Sequence, residues 1–203
     1  MPNLTIIAGC NGAGKSTFAP SFLPDGVFSF DYDKLFLEYY RELPDSELRV
    51  EFAKQKAIHQ FELAIDQSLE SSGDFCYETN FDAHPVYWVE KFRHKGFRIN
   101  MIFFCLEDQS IARHRIQVRT EHDGHFVNNQ TIDYKWREGY KNLNIHFRVF
   151  NNILFVDNST QNMQYTNILQ IEEGRISMFE EHVPGYFAHR LPEVYKYLVD
   201  LGI

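Results

Sequence analysis

Eight residues near the start of the chain, Gly9-Cys10-Asn11-Gly12-Ala13-Gly14-Lys15-Ser16, satisfy G-x-x-x-x-G-K-[ST] at every fixed position. The motif constrains its flanks as well as itself. Leu4 to Ala8 is a short apolar run rich in β-branched residues, and it reads as a buried strand feeding the loop. A helix is predicted from Lys15 and ends near Pro20. In that setting the small residues let backbone wrap a pyrophosphate, and the helix presents its positive end to the anion. Lys15 supplies a charge for the β- and γ-phosphates, and the Ser16 hydroxyl can ligate Mg²⁺. A chance match in a chain of this length is expected roughly once in a hundred sequences or more rarely.

The remaining pattern predicts strands alternating with helices. Val27 to Phe30 reads as a second brief strand delivering Asp31 and Asp33. Pro44-Asp45-Ser46 signals a helix entry, and Leu48, Phe52, Ile58, Phe61, Ile65 and Leu69 then recur near the 3.6 period, until Gly73 closes the helix. Strands are predicted at Phe75 to Tyr77, Arg98 to Leu106 and Ile153 to Val156. Helices are predicted over about Pro85 to Lys95, Gln109 to Arg119 and Thr131 to Asn151. Thr120 to Gln130, with Asp123-Gly124, reads as an exposed loop. Ile168 to Glu172 and Arg175 to Phe179 flank Glu173-Gly174 as a hairpin, and a last helix runs from Leu191 to Leu201. This order implies an α/β sandwich on a mostly parallel sheet.

With 203 residues, one domain with a sizeable core is expected. It would span 1–203, with an arginine-bearing lid at about 113–142 and an appendage at about 160–203. Twenty Lys and Arg against 28 Asp and Glu leave a net charge of -8, which opposes unguided attraction to nucleic acid or anionic lipid. Three separated cysteines show no metal-ligand spacing, and their odd number cannot close fully into intrachain bridges. No run approaches eighteen apolar residues, and the N-terminus lacks a secretory pattern. The expected setting is the cytoplasm, with neither a membrane nor a nucleic-acid partner.

A phosphate loop leaves the reaction open. A guanine-specific switch needs an N-K-x-D element, which is absent. Transporter-type ATPases pair an Asp-Glu-ended strand with a signature loop, and here the strand ends in Glu107-Asp108 without one. The size suits a small kinase, which needs an acid after its second strand to take the acceptor proton and a lid arginine to offset charge on the moving phosphoryl group. Asp31 and Asp33 stand at the first position, and Arg113, Arg115 and Arg119 precede the loop at the second. Spacings of two and four cannot put all three arginines on one helix face, but Arg115 and Arg119 share one.

Ala8-Gly9-Cys10-Asn11-Gly12-Ala13-Gly14-Lys15-Ser16-Thr17, then Tyr32-Asp33, Glu78-Thr79-Asn80, Arg115 and Arg119 before Gly124-His125-Phe126-Val127, and Asp157-Asn158-Ser159 occur in order over residues 4 to 160. In this the chain resembles the zeta-toxin-like P-loop kinases, closest to the bacterial branch described as predicted ATPases. The resemblance implies an adenylate-kinase-like P-loop fold, with ATP and Mg²⁺ as ligands and the loop from Gly9 through Thr17 as the nucleotide site. In zeta toxins the activity is phosphorylation of a UDP-activated amino sugar, and a helical antitoxin covers the nucleotide site. Carried over by position, Asp33 matches the catalytic acid and Glu78 an acidic residue facing the same cleft. Arg115 and Arg119 match lid-side arginines. Asp31, Thr79, Asn80 and His125 fall on the substrate side. The chain departs from the pattern at Phe36, where zeta toxins carry an arginine. It departs again at Glu138, which replaces an arginine of the branch in a segment that retains Lys135.

Simpler roles exist for several of these residues. Asp33 has the residue type of a helix N-cap. Cys10 lies in the loop near a helix start, a setting that can lower a thiol pKa. The cluster Lys91, Arg93, His94, Lys95 and Arg98 sits at a helix end, where it favours the C-terminal dipole. Tyr134, Trp136 and Tyr140 fit either a core face or an interface. The alternative to a kinase is a nucleotide-dependent binding module or slow ATPase acting through a protein partner.

Overall fold

The computed structural model describes residues 1–121, 128–160 and 164–202, and within these the side chains of Thr120 and Glu121 are not described. Six strands form one sheet: β1 (Asn3–Ala8), β2 (Phe75–Thr79), β3 (Arg98–Cys105), β4 (Asn152–Asp157), β5 (Thr166–Glu172) and β6 (Arg175–Phe179). Their order is β2-β1-β3-β4-β5-β6. The first four pair in parallel, and β5 and β6 add antiparallel at one edge. The expected α/β sandwich with a mostly parallel sheet and an appended hairpin is therefore the fold. Central strands carry apolar residues on both faces because helices cover both: Ile6, Ile7, Met101, Phe103, Phe104, Phe155 and Val156 are all at most 1% exposed.

Helices fill the connections: α1 (Lys15–Phe18), α2 (Tyr32–Glu42), α3 (Arg49–Ser71), α4 (Tyr87–His94), α5 (Gln109–Glu121), α6 (Asn129–His146), α7 (Gly185–Arg190) and α8 (Pro192–Asp200). The predicted strand over Val27 to Phe30 is reduced to one residue. Phe30 makes a single parallel bridge to Tyr77, through Phe30 N–H to the Cys76 carbonyl at 2.8 Å and Glu78 N–H to the Phe30 carbonyl at 3.0 Å. Phe28 is 85% exposed and so has no sheet face to occupy. Helix α2, which the sequence pattern leaves without an assigned element, begins immediately after the bridge. Its N-cap is Asp31, whose side chain accepts from Lys34 N–H at 3.0 Å, so the capping role considered for Asp33 belongs to its neighbour.

Strand β1 lies where the chain turns first toward β2 and later toward β3. The crevice beyond its carboxyl end is thus the topological switch point, the usual ligand position of an open α/β sheet. On one flank α6 packs on α5, held by an ion pair between Arg113 and Asp133 whose Nε–Oδ1 distance is 2.8 Å. Buried Tyr140 of α6 accepts from Leu106 N–H and donates to the Leu106 carbonyl, both at 2.8 Å, fixing the exit of β3. Trp136 and Tyr140 therefore belong to a core face, whereas Tyr134 is 48% exposed. No described helix is long and apolar enough to cross a membrane.

Candidate active site

The loop after β1 adopts a backbone that only glycine tolerates at key points. Gly9, at φ +138°, approaches the Phe104 backbone so closely that a Cβ would lie 2.7 Å from its carbonyl oxygen. Gly14, at φ +98°, abuts the Asn158 side chain. Asn158 comes from the end of β4, is 2% exposed, and donates from Nδ2 to the Ala13 carbonyl at 2.8 Å. It is thereby a strut under the loop. Asn11, Gly12, Gly14, Lys15, Ser16 and Thr17 line a cleft of about 1870 Å³, while Gly9 and Ala13 pack away from it.

Lys15 is folded back over its own loop. Its Nζ donates to the Gly9 carbonyl at 2.7 Å, the Cys10 carbonyl at 3.2 Å and Asn80 Oδ1 at 3.2 Å. Burial pushes its pKa down, partly opposed by Asp33 and Glu78, so the ammonium gains from any anion brought to it. Ser16 Oγ lies 2.7 Å from Glu78 Oε2 and 3.0 Å from Asp31 Oδ2. One hydroxyl proton can serve one carboxylate, and the second meets it lone pair to lone pair. Burial, followed by the neighbouring Asp31 charge, pushes Glu78 above the usual carboxylate range, while the Ser16 bond pulls it down. Two carboxylates converging on one hydroxyl form a hard oxygen donor set that fits a divalent cation such as Mg²⁺.

Asp33 sits in the first turn of α2, where its Oδ2 accepts from Asn11 Nδ2 at 3.3 Å. The phosphate loop thus orients this acid directly. Asn11 is 7% exposed, and its Oδ1 has no partner among the described residues. Thr79 and Asn80 also line the cleft, but the Thr79 hydroxyl is committed to Phe81 N–H at 3.0 Å.

The three arginines of α5 separate. Arg113 pairs with Asp133 and is structural. Arg115 and Arg119 both line the cleft, as their shared helix face requires. Arg115 also braces the loop, donating to the Gly12 carbonyl at 3.3 Å and the Thr160 carbonyl at 2.7 Å. His125 and the Gly124–Val127 segment lie outside the described residues. Cys10 is not an activated thiol: burial pushes it up to about 11 despite the nearby Lys15 charge. Phe36 introduces no cation where the zeta pattern has one, and Glu138 is taken up by Arg137 at 3.2 Å and Lys141 at 3.1 Å.

Among the cleft residues outside the candidate set, two bear on the phosphate loop. Lys135 of α6 lines the cleft near enough to Lys15 to help depress its pKa, and Asn158 supports the loop from beneath. Both were visible only as members of the family pattern, because each is more than a hundred residues from the loop and neither carries a motif of its own.

No family model matches the chain, and no curated protein matches it by sequence. Solved structures do. A chain from the PezAT chromosomal toxin–antitoxin system of Streptococcus pneumoniae superposes with a TM-score of 0.67 at 16% identity, over 99% of this chain and 87% of that one. A chain of the AvrRxo1-ORF1:ORF2 complex crystallised with ATP gives 0.67 at 9% identity, covering 88% of this chain. This chain spans 60% of that protein's length. A chain of the Pnkp1/Rnl/Hen1 RNA repair complex gives 0.54 at 21% identity, over 70% of this chain and 45% of that one. At these identities the likeness concerns fold alone: the chain shares the architecture of these solved structures, an α/β sandwich of the P-loop type.

Proposed function

We propose that this chain is an ATP-dependent phosphotransferase that moves the γ-phosphoryl group to a hydroxyl of a small molecule. The observation that carries the reading is the hydrogen bond from Asn11 of the phosphate loop to Asp33, which sets a carboxylate base beside the Lys15 and Ser16 end of one cleft. A loop built only to bind nucleotide has no need of an acid held by its own side chain.

In this reading Lys15 exchanges its carbonyl partners for the β- and γ-phosphate oxygens, with Arg119 and Lys135 facing them from the other wall. Arg115 keeps the loop tied to the chain after β4. Ser16, Asp31 and Glu78 would hold Mg²⁺, which when bound neutralises phosphate charge. Asp33 accepts the proton of the acceptor hydroxyl as that oxygen bonds to the γ-phosphorus and the bond to ADP breaks. The products are ADP and a phosphorylated acceptor. The described helices of the 113–142 segment, α5 and α6, would act as the lid over this site. They already meet through Arg113 and Asp133. The resemblance makes a UDP-activated amino sugar the first acceptor to try. A protein antitoxin is a fitting partner, because two of the similar chains come from two-protein systems. The net charge of -8 and three free buried cysteines fit a cytoplasmic protein that does not grip nucleic acid.

The test is a metabolite extract incubated with the protein, magnesium and labelled ATP, read by mass spectrometry, beside an Asp33→Asn variant. Wild-type protein should yield one new phosphorylated compound. The variant should bind ATP with similar heat and transfer about 10²–10⁴-fold more slowly. Absence of ATP binding by calorimetry, or full transfer by the variant, sinks the reading.

A further inference from the structure

The single bridge between Phe30 and Tyr77 fixes which way the residues on either side of it face. Phe30 and Tyr77 share one side of the sheet, where their rings meet Phe61 at 5.1 Å and 5.4 Å. Side chains alternate along extended backbone, so Ser29 and Asp31 turn to the opposite side, the one that carries Cys76 and Glu78. Ser16 lies on that side too, in contact with both Asp31 and Glu78. By this register Asp31 stands level with Glu78, and Ser29 stands one step deeper, level with Cys76.

Ser29 differs from the rest of this group in having nothing to bond. Its Oγ is buried and has no hydrogen-bond partner among the described residues. It does not line the cleft, so it is out of reach of both nucleotide and acceptor. Burial pushes the Cys76 thiol up to about 12, and Ser29 opposes that shift. Burial likewise pushes Glu78 up, and Ser29 is among the groups that draw it back, after Ser16. The hydroxyl thus lies beside the Glu78 carboxylate but beyond hydrogen-bond distance of it.

A buried hydroxyl without a partner lowers stability, and alanine in its place would lose nothing while the site is arranged this way. A demand for the hydroxyl therefore comes from another state of the site. At present the Ser16 proton serves Glu78 at 2.7 Å or Asp31 at 3.0 Å. When the Ser16 oxygen and the two carboxylates turn to a divalent cation, Glu78 gives up that bond. A ligating carboxylate needs an outer hydrogen bond to fix its orientation. Ser29 offers an uncommitted hydroxyl on the same face, whereas Thr79 lies on the other face and is bonded to Phe81 N–H.

Resting on the phosphotransfer reading, we propose that Ser29 is a positioning residue of the cation site: its hydroxyl donates to Glu78 once the Ser16 oxygen is given over to a divalent cation, and so aims that carboxylate at the ion. The role belongs to the magnesium-bound state alone. A packing role would act with and without magnesium.

Calorimetry of the full chain with a non-hydrolysable ATP analogue, once with magnesium and once with EDTA, tests this. Wild-type protein should bind the analogue more tightly with magnesium. In Ser29→Ala the affinity in EDTA should equal that of the wild type, while the affinity with magnesium falls about tenfold, the lower end of the cost of removing a group that orients a ligand. The melting temperature of nucleotide-free Ser29→Ala should match or exceed that of the wild type, because an unpartnered hydroxyl has been removed. Ser29→Thr keeps the hydroxyl and should restore the magnesium-dependent part. Should its methyl group prevent folding, the alanine comparison decides alone. The proposal is overturned by unchanged affinity of Ser29→Ala under both conditions, by the same loss under both, or by a folded Ser29→Thr that restores nothing. Wild-type binding that magnesium leaves unchanged would remove the cation site and overturn it as well. A wild type that binds no analogue under either condition sinks the phosphotransfer reading, and this proposal with it.

Discussion

Gly139 of α6 lies against the backbone of Asn80 so closely that a Cβ there would stand 2.7 Å from the Asn80 carbonyl oxygen. Three residues on, Asn142 donates from Nδ2 to the carbonyls of Phe81 and Asp82 at 2.9 Å and 3.1 Å. Helix α6 is thus seated on the segment that leaves β2, and the same Asn80 holds Lys15 through its side chain. Gly139→Ala must push the helix off that seat at a cost of about 1–3 kcal/mol. The melting temperature should fall by several degrees, and the affinity for Mg-ATP should fall with it. A melting curve superimposable on that of the wild type would show that the contact does not constrain α6.

Lys15 is a half-buried cation whose partners are two loop carbonyls and one side-chain amide. Lys15→Ala removes the charge that a triphosphate would meet. ATP affinity should fall about 10- to 100-fold, the equivalent of a charge-assisted hydrogen bond. Lys15→Arg should not restore it, because the planar guanidinium does not fit a position shaped for a compact ammonium between the Gly9 and Cys10 carbonyls. Titration calorimetry checks both, and recovery in the arginine variant would refute the geometric part.

Burial pushes the Cys10 thiol up to about 11 and the Cys76 thiol up to about 12. The folded chain therefore binds these protons more tightly than the unfolded chain, whose thiols ionise near 9. Stability from this source is intact below about pH 9 and is lost as pH rises toward 11. Melting temperatures measured from pH 8 to 11 should decline across that window, and a Cys10→Ser variant should decline less. Alkylation of native protein at pH 8 should be slow at every cysteine. Fast, selective labelling of Cys10 would contradict this.

The C-terminal part of the chain reaches the site in part through a phenol of α7. Tyr186 of α7 donates to Asp157 Oδ1 at 2.7 Å, and burial pushes this phenol up, so it remains a donor at all working pH values. Asp157 also accepts from Ser159 N–H at 3.0 Å, and Asn158 between them props the phosphate loop. Tyr186→Phe should cost about 1–2 kcal/mol of stability and weaken nucleotide binding severalfold. Unchanged nucleotide affinity in a variant that has lost stability would confine α7 to a packing role.

The elements that the sequence discloses are those whose pattern is set locally. The phosphate loop is recognisable because its backbone demands small residues, and β3 because its apolar run admits one reading; α3 is legible as a helix, but Leu48, Phe52 and Ile58 of its apolar repeat are exposed while Ala53 and Ala57 are buried. The strand over Val27 to Phe30 failed as an expectation because its residues suit a strand while the fold gives them nothing to pair with beyond Tyr77. Helix α7 has six residues, too few for a period to show. At the site, Asp31 and Asp33 are equivalent by residue type. Only the three-dimensional arrangement separates them, placing Asp31 on Ser16 and the helix cap and Asp33 on Asn11. Arg113 parts from Arg115 and Arg119 for the same reason: its partner Asp133 comes from another helix twenty residues later.

The lone bridge at Phe30 has an effect out of proportion to its length. Its two hydrogen bonds flank Asp31 and Glu78, residues forty-seven apart in the chain that both contact Ser16. The connector upstream makes no ladder of its own, so its length is free to vary without altering where those acids meet. A proline at either stitched amide, by contrast, would unpin one acid from the other. Insertions between residues 24 and 27 are thus a permissive point for engineering, while Phe30 and Glu78 form a rivet that any redesign of this cleft has to keep.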